Sequence, residues 1–431
     1  MFAWGAIVTG RGTAIEPQYA AKPAEGVPTF ARDVAPILFK NCAGCHRPGE
    51  IAPMSFLTYE DVRPWAKAIR DEVGDGTMPP WHADAPHGTF LNERTLTAAE
   101  KSTIAKWANG GAPKGDPADL PAIPAYPDGW TVGTPDVVFE MAEPYSLPAE
   151  GTIQYEYFYI PTGFTEPRWV KSIEIRPGNR EVVHHVLVYY RATPDLQRTS
   201  VFRPNRETAR MPAERTPGVR VSPPRQGLPP RRLLATYAPG TASQVAPDGP
   251  AFRLEPGGII ELQMHYTTKG EPATDRTKVG LIFAKDPSPL ELRPGQFING
   301  TFTLPAGAND VAVEADVEFL QEATVWGIFP HTHLRGKKWE YRMILPDGSS
   351  KTILSVPKYD FNWQTYYMFK KPLNVPKGAR IISTAWYDNS AGNKSNPDPK
   401  SDVKWGDQTW EEMQYTGILF TPAVPPTPIT K

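Results

Sequence analysis

The sequence predicts a multidomain protein in which one small all-α domain is followed by two all-β antiparallel sandwich domains. Three observations carry this expectation. At 431 residues the chain exceeds what one hydrophobic core normally organises. Apolar residues recur at helical spacing in the N-terminal part, whereas beyond residue 145 short β-branched and aromatic runs alternate with turn residues. Finally, 49 prolines with 11% aromatic residues disfavour long helices and suit short strands joined by rigid turns.

The 46 basic and 47 acidic residues leave no bulk charge, which argues against a nucleic-acid or anionic-membrane partner. No run approaches the roughly 20 apolar residues that span a bilayer, so no transmembrane segment is expected. The start, Met1-Phe2-Ala3-Trp4-Gly5-Ala6-Ile7-Val8, is apolar without a positive flank. It reads as the tail of a truncated leader, and residues 1–28 are assigned to a leader or disordered N-terminus.

The all-α part spans 29–114 and centres on Cys42-Ala43-Gly44-Cys45-His46. These are the only two cysteines, so no disulfide framework is available. Two thiols at this spacing can each add to a haem vinyl group while the following imidazole reaches the iron, which is the pattern for one covalent c-type haem. A redox dithiol or half of a zinc site is the alternative, but there is no second cysteine pair and no thioredoxin-like strand before the motif. One helix, with Phe30, Val34, Ile37 and Leu38 as its apolar stripe, runs into the motif. A second starts near Thr58 and turns Val62, Trp65, Ile69 and Val73 inward. A third opens on a Thr97-x-x-Glu100 capping box, buries Ile104, Trp107 and Ala108, and stops at Asn109-Gly110-Gly111.

This three-helix pattern around Cys-x-x-Cys-His resembles a class I cytochrome c. The resemblance implies a sixth iron ligand from a methionine on the loop before the last helix, a position matched by Met78 in Thr77-Met78-Pro79-Pro80-Trp81. Met54 is the competitor, and His82 or His87 would give a bis-imidazole iron. Residues 115–145, rich in Pro, Ala, Asp and Gly, read as a semi-rigid linker.

Strands are predicted at Gln154 to Ile160, Trp169 to Ile175, Val182 to Tyr190, Gly258 to Thr268, Lys278 to Phe283, Asp310 to Phe319, Trp339 to Leu345, Arg380 to Tyr387 and Met413 to Phe420. No helix of useful length intervenes, so the sheets are antiparallel, and the length suits two sandwiches, 146–287 and 288–431. The Arg- and Pro-rich stretch from Pro204 to Pro230 reads as a long excursion loop of the first sandwich.

Five of the eight histidines lie on these strand-like runs. His184 and His185 are adjacent, so both can bind one metal only if their strand is bulged or ends there; otherwise one is a core histidine and the other is exposed. His265 adds one more imidazole about eighty positions on. His331 and His333, two apart, share a face if Phe329-Pro330-His331-Thr332-His333 is a strand. Imidazoles with few acidic neighbours suit copper, zinc, iron or nickel rather than calcium, magnesium or manganese. A thioether ligand would favour Cu(I) over zinc. Met413 is placed to supply one at the start of its strand, although Met264 and Met343 have the same unaided claim.

The order His-His, then His, then His-x-His, then Glu412-Met413 resembles the type II copper, ascorbate-dependent monooxygenases, over roughly residues 146–425. That family includes peptidylglycine alpha-hydroxylating and dopamine beta-monooxygenases. The resemblance implies two jelly-roll-like sandwich domains, each holding one copper across a solvent cleft. His184, His185 and His265 match the electron-relay copper site; His331, His333 and Met413 match the catalytic site, where O2 binds. It also implies hydroxylation of an aliphatic C–H bond of a small molecule or peptide, with ascorbate or a redox protein as reductant. The fused haem is then expected to serve as electron donor or relay. The disulfides of the eukaryotic members have no counterpart in this cysteine-free region, and their substrate-binding residues have no identifiable match. Covalent haem attachment in bacteria occurs outside the cytoplasmic membrane, so a periplasmic or secreted location is expected. The competing reading is a periplasmic electron-transfer or ligand-binding sensor protein with one structural metal and no hydroxylase activity.

Overall fold

The structure, a computed structural model, describes residues 26–48, 50, 52–125, 129–192, 201–209, 228–237, 243–285 and 290–423. The leader-like residues 1–25 and most of the Pro204 to Pro230 excursion lie outside the described residues. Contacts divide the chain into two units. One comprises Met1–Pro48, Met54–Asp75 and Leu96–Pro124; the other comprises Gly49–Pro53, Gly76–Thr95 and Ala125–Lys431.

Among its described residues the first unit holds short helices and no strand. The Thr29 side chain accepts from the Arg32 N–H and opens a π-helical turn, Phe30–Val34, that continues into α1 (Ala35–Asn41). Phe30, Val34, Ile37 and Leu38 are buried along it, as the stripe predicts. Thr58 caps α2 (Tyr59–Val62). The α-helical pitch then breaks, because Pro64 has no N–H to donate, and Arg63–Trp65 winds as a 3-10 turn before α3 (Ala66–Asp75). This rotates Trp65 outward: it is 43% exposed, contrary to the inward position expected, while Val62, Ile69 and Val73 are buried. α4 (Ala98–Asn109) has the predicted capping box, with Glu100 N–H donating to Thr97 Oγ1 and Thr97 N–H donating to Glu100 Oε2. Gly110 N–H closes on Lys106 O, and Gly111 at φ +88° takes the left-handed step out of the helix.

The second unit is antiparallel β-sheet. Each predicted strand is present to within three residues at either end. Two sheets position the histidines. In the first, β1 (Glu156–Pro161), β2 (Val183–Arg191), β3 (Arg231–Tyr237) and β4 (Ile259–Tyr266) lie in the order β1-β4-β2-β3. In the second, β5 (Arg293–Asn299), β6 (Ala323–His331), β7 (Tyr367–Val375) and β8 (Gln414–Pro422) lie in the order β5-β8-β6-β7. Behind the first sheet stands one built on Arg168–Arg176 and Lys278–Phe283; behind the second stands one built on Val311–Phe319, Gly336–Ile344 and Arg380–Tyr387.

Each sheet pair closes on its own core. Val186, Val188, Ile260, Leu262 and Met264 fill the first, and Val317, Phe319, Trp339, Tyr341 and Met343 fill the second. Every such side chain contributes about 1.5–3 kcal/mol of burial free energy, which makes the alternating pattern the main determinant of register. Met264 and Met343 are thus core residues, which removes them as thioether ligands. Phe202–Pro204, in the stretch expected to belong to the first sandwich, pairs instead with Val311–Phe319 of the second. Among the described residues, no helix is long and apolar enough to cross a membrane.

Candidate metal centres

The first centre forms where β2 departs from regular pairing. His185 faces His265, but the next pair is Val183 with Tyr266, so His184 is an extra residue with no partner in the ladder. This bulge meets the condition under which adjacent histidines can share one ligand. His185 Nδ1 lies 3.2 Å from His184 Nδ1 and 3.3 Å from His265 Nδ1. Nitrogen donors at about 2.0–2.1 Å from a tetrahedral metal stand roughly 3.3 Å apart, so the spacing of these nitrogens fits a single ion. Tyr155 packs its ring 5.1 Å from His265 and donates its hydroxyl to the Asp407 carbonyl, covering the cluster.

The second centre is built on a turn. β6 ends at His331, so His333 lies beyond the strand, contrary to the expected strand geometry. The pair nevertheless converges, with ring centroids 5.2 Å apart. His331 Nδ1 bonds to the Gln364 side-chain oxygen, and His333 Nδ1 lies 3.2 Å from the Glu411 carbonyl. Carbonyl acceptors take an N–H, so both rings keep the proton on Nδ1 and offer Nε2 to a metal. Met413 lines the same cavity as these two rings.

The reason β6 stops at His331 is Glu412, a fully buried carboxylate. Its Oε2 accepts from the N–H of His333 (2.7 Å) and of Met413 (3.2 Å), and its Oε1 accepts from the N–H of Arg335 (2.6 Å). The turn is tight enough that a Cβ on Gly336 would run into Thr332 Oγ1. Burial pushes the Glu412 carboxyl up, while these donors and the Arg335 guanidinium pull it down.

Both centres open on one cavity of about 490 Å3, lined by His185 on one side and by His331, His333 and Met413 on the other. Phe361 stands between them, its ring 5.9 Å from His184 and 5.9 Å from His333. Burial holds all five imidazoles below their ordinary range, His265 and His331 at about 4; neighbouring histidines push His185 down further. All five are therefore neutral at pH 7, which is the metal-binding form.

In the first unit, Cys42 and Cys45 form no disulfide, and burial pushes the Cys42 thiol up to about 12. The His46 ring stacks on Phe56, with centroids 4.1 Å apart, and its Nδ1 lies 3.3 Å from the Met54 carbonyl. That contact leaves His46 Nε2 free to hold an iron. Met78 lies in Gly76–Thr95, a segment of the second unit, and its loop packs Trp81 and Phe90 against Tyr367. His82 is half-buried and His87 bonds to Thr95 and Glu93, an ordinary loop arrangement.

Sequence reasoning did not assign Gln364, Phe361 or Tyr155, and saw Glu412 only as the neighbour of Met413. Nothing in the local pattern of residues 359–366 marks the first two, since that stretch has no strand or helix period.

No protein-family model and no curated protein matches the chain. Among solved structures it is similar to allantoicase from Saccharomyces cerevisiae, at 10% identity and TM-score 0.17, over 63% of this chain and 80% of that one. It is likewise similar to the VP2 subviral particle of infectious bursal disease virus (10%, TM-score 0.18, 66% and 72%). A third likeness is to a fucolectin from striped bass serum, Morone saxatilis (10%, TM-score 0.16, 65% and 86%). None of these likenesses bears on the histidine clusters.

Proposed function

We propose that the chain is a copper-dependent monooxygenase that hydroxylates an aliphatic C–H bond with O2, with a fused c-type haem as electron donor or relay. The observation that carries the reading is the pairing of two unlike imidazole sets on one cavity. One presents three Nδ1 atoms at single-ion spacing; the other presents two Nε2 atoms beside a methionine. Three imidazoles form a closed, electron-relaying donor set. Two imidazoles with a soft thioether favour reduced copper and leave a coordination position open. His331, His333 and Met413 would hold this copper, which would supply the activation of O2.

The remaining work falls to the chain itself. Gln364 and the Glu411 carbonyl hold the proton of each ring away from the cavity, so that Nε2 stays available without a titration step. Phe361 and Tyr155 exclude water around the clusters. Cys42, Cys45 and His46 would hold the haem, which supplies a one-electron centre on the same chain, and Met78 is assigned as its sixth ligand by the resemblance alone. A periplasmic or secreted location follows from covalent haem attachment, and ascorbate or a redox protein serves as the external reductant.

Oxygen uptake by the copper-loaded chain with ascorbate tests the proposal. Uptake that requires copper and is lost in His333→Ala is expected. Uptake of equal rate in wild type and variant contradicts it and favours the sensor or electron-transfer reading.

A further inference from the structure

Glu412 is the only carboxylate among the described residues whose oxygens accept from the backbone on both sides of the second centre. Its partners, His333 and Arg335 on one segment and Met413 on the other, are separated by nearly eighty positions in sequence. The neighbouring backbone reinforces the grip, because the Glu411 carbonyl faces His333 Nδ1, so residues 411 and 412 hold both the main chain and the ring of His333. Met413 is likewise held at two points, with its N–H on Glu412 Oε2 and its carbonyl accepting from the Tyr387 hydroxyl (2.7 Å). Only the methionine side chain is left to choose its direction. The Arg335 guanidinium does not occupy the carboxylate, being bonded to Asn389 Oδ1 and the Trp410 carbonyl (both 2.8 Å), so Glu412 spends its lone pairs on the ligand-bearing backbone.

Resting on the copper reading of the second centre, we infer that Glu412 is a positioning residue: it fixes His333 and Met413 relative to each other, so that thioether and imidazole reach one ion. The requirement is for an acceptor-only side chain. All three partners are N–H donors: Oε2 accepts from both His333 and Met413 and so joins the two segments, while Oε1 accepts from Arg335 on the His333 segment. A glutamine, in either orientation of its amide, sets an NH2 against at least one of those donors. A buried donor left without an acceptor forces the segment carrying it to move. Glu412 acts through these backbone bonds and not as a metal ligand.

The test uses the full chain loaded with copper, comparing wild type with Glu412→Gln by three readouts: copper per folded chain, Cu(I) affinity by chelator competition, and sulfur scattering in the copper X-ray absorption spectrum of the reduced protein. The variant is expected to keep the copper held by His184, His185 and His265 at wild-type affinity. At the second centre it is expected to lose the sulfur contribution and bind about 10–100-fold more weakly. An unchanged sulfur signal and unchanged affinity in Glu412→Gln overturn the positioning role, because the carboxylate is then merely a satisfied core group. Wild-type protein without sulfur-ligated copper overturns the copper reading itself, and the inference with it. Should Glu412→Gln fail to fold, Glu412→Asp provides the second measurement. It keeps the charge and the acceptors but withdraws them by one methylene, so loss of sulfur scattering supports the role and retention overturns it.

Discussion

Acidification from pH 7 to pH 5 should weaken copper binding at the first centre far less than it would for three solvated imidazoles, although three histidines hold the ion. Protons and copper compete for the same lone pairs, so the penalty depends on each imidazole's affinity for a proton in the folded, metal-free chain. A solvated imidazole near 6.5 is about 97% protonated at pH 5, which weakens metal binding about thirtyfold per ligand and roughly 10⁴-fold for three. In this structure burial holds His265 at about 4, His185 well below its ordinary range and His184 below it. At pH 5 His265 is then only about a tenth protonated, and its share of the penalty falls to roughly 10%. The sign for stability is opposite in kind. A buried imidazole with a lowered affinity for protons contributes stability that is present above pH 6.5 and is lost as pH falls toward 4, because the unfolded chain takes up the protons first. The metal-free chain should therefore unfold more readily at pH 5, whereas the copper-loaded chain should hold. Cu(I) affinity by chelator competition at pH 7, 6 and 5, with folding followed in parallel, is the assay. A loss of roughly 10⁴-fold over this range would refute the reasoning, since it would mean the three rings titrate as in water.

Three further outcomes are expected from the packing. Gln364→Ala removes the acceptor of the His331 Nδ1 proton, and second-centre copper affinity should fall about 10–100-fold by competition titration, with the first centre unchanged. Gly336→Ala would drive its Cβ into Thr332 Oγ1 beneath His331 and His333; a stability loss of about 1–3 kcal/mol in denaturant titration is expected, together with weaker metal binding at that centre. In the first unit, Ile69→Ala should cost about 2–5 kcal/mol, whereas Trp65→Ser should stay within about 0.5 kcal/mol; a large cost at Trp65 would contradict the 3-10 break.

The nine predicted strands were legible because their signal is local. Val311–Phe319 alternates buried and exposed positions along its length, and that alternation can be read without knowing its partner. The capping box at Thr97 and Glu100 and the stop at Gly110 and Gly111 are local for the same reason. The bulge at His184 was legible only as a condition, because adjacent histidines cannot share a ligand on a flat strand; the pairing of Val183 with Tyr266 that satisfies it is a long-range fact. Much of what escaped the sequence at the site is non-local. His333 leaves the strand because a carboxylate 79 positions away takes its N–H. Gln364 and Phe361 reach the histidines from a stretch with no period. Phe202–Pro204 joins a sheet of the other sandwich by pairing with Val311–Phe319. Trp65 is the exception, since the signal that turned it outward, Pro64, was adjacent and was outweighed by the apolar spacing.

The central claim, that one chain carries two unlike copper centres, is tested most directly by counting copper per folded chain together with its electron paramagnetic resonance, in wild type, His265→Ala and His333→Ala. Two coppers with distinguishable signals are expected in the wild type, and one remaining copper in each variant, with the complementary signal lost. A single copper in the wild type, or the same residual signal in both variants, would contradict it.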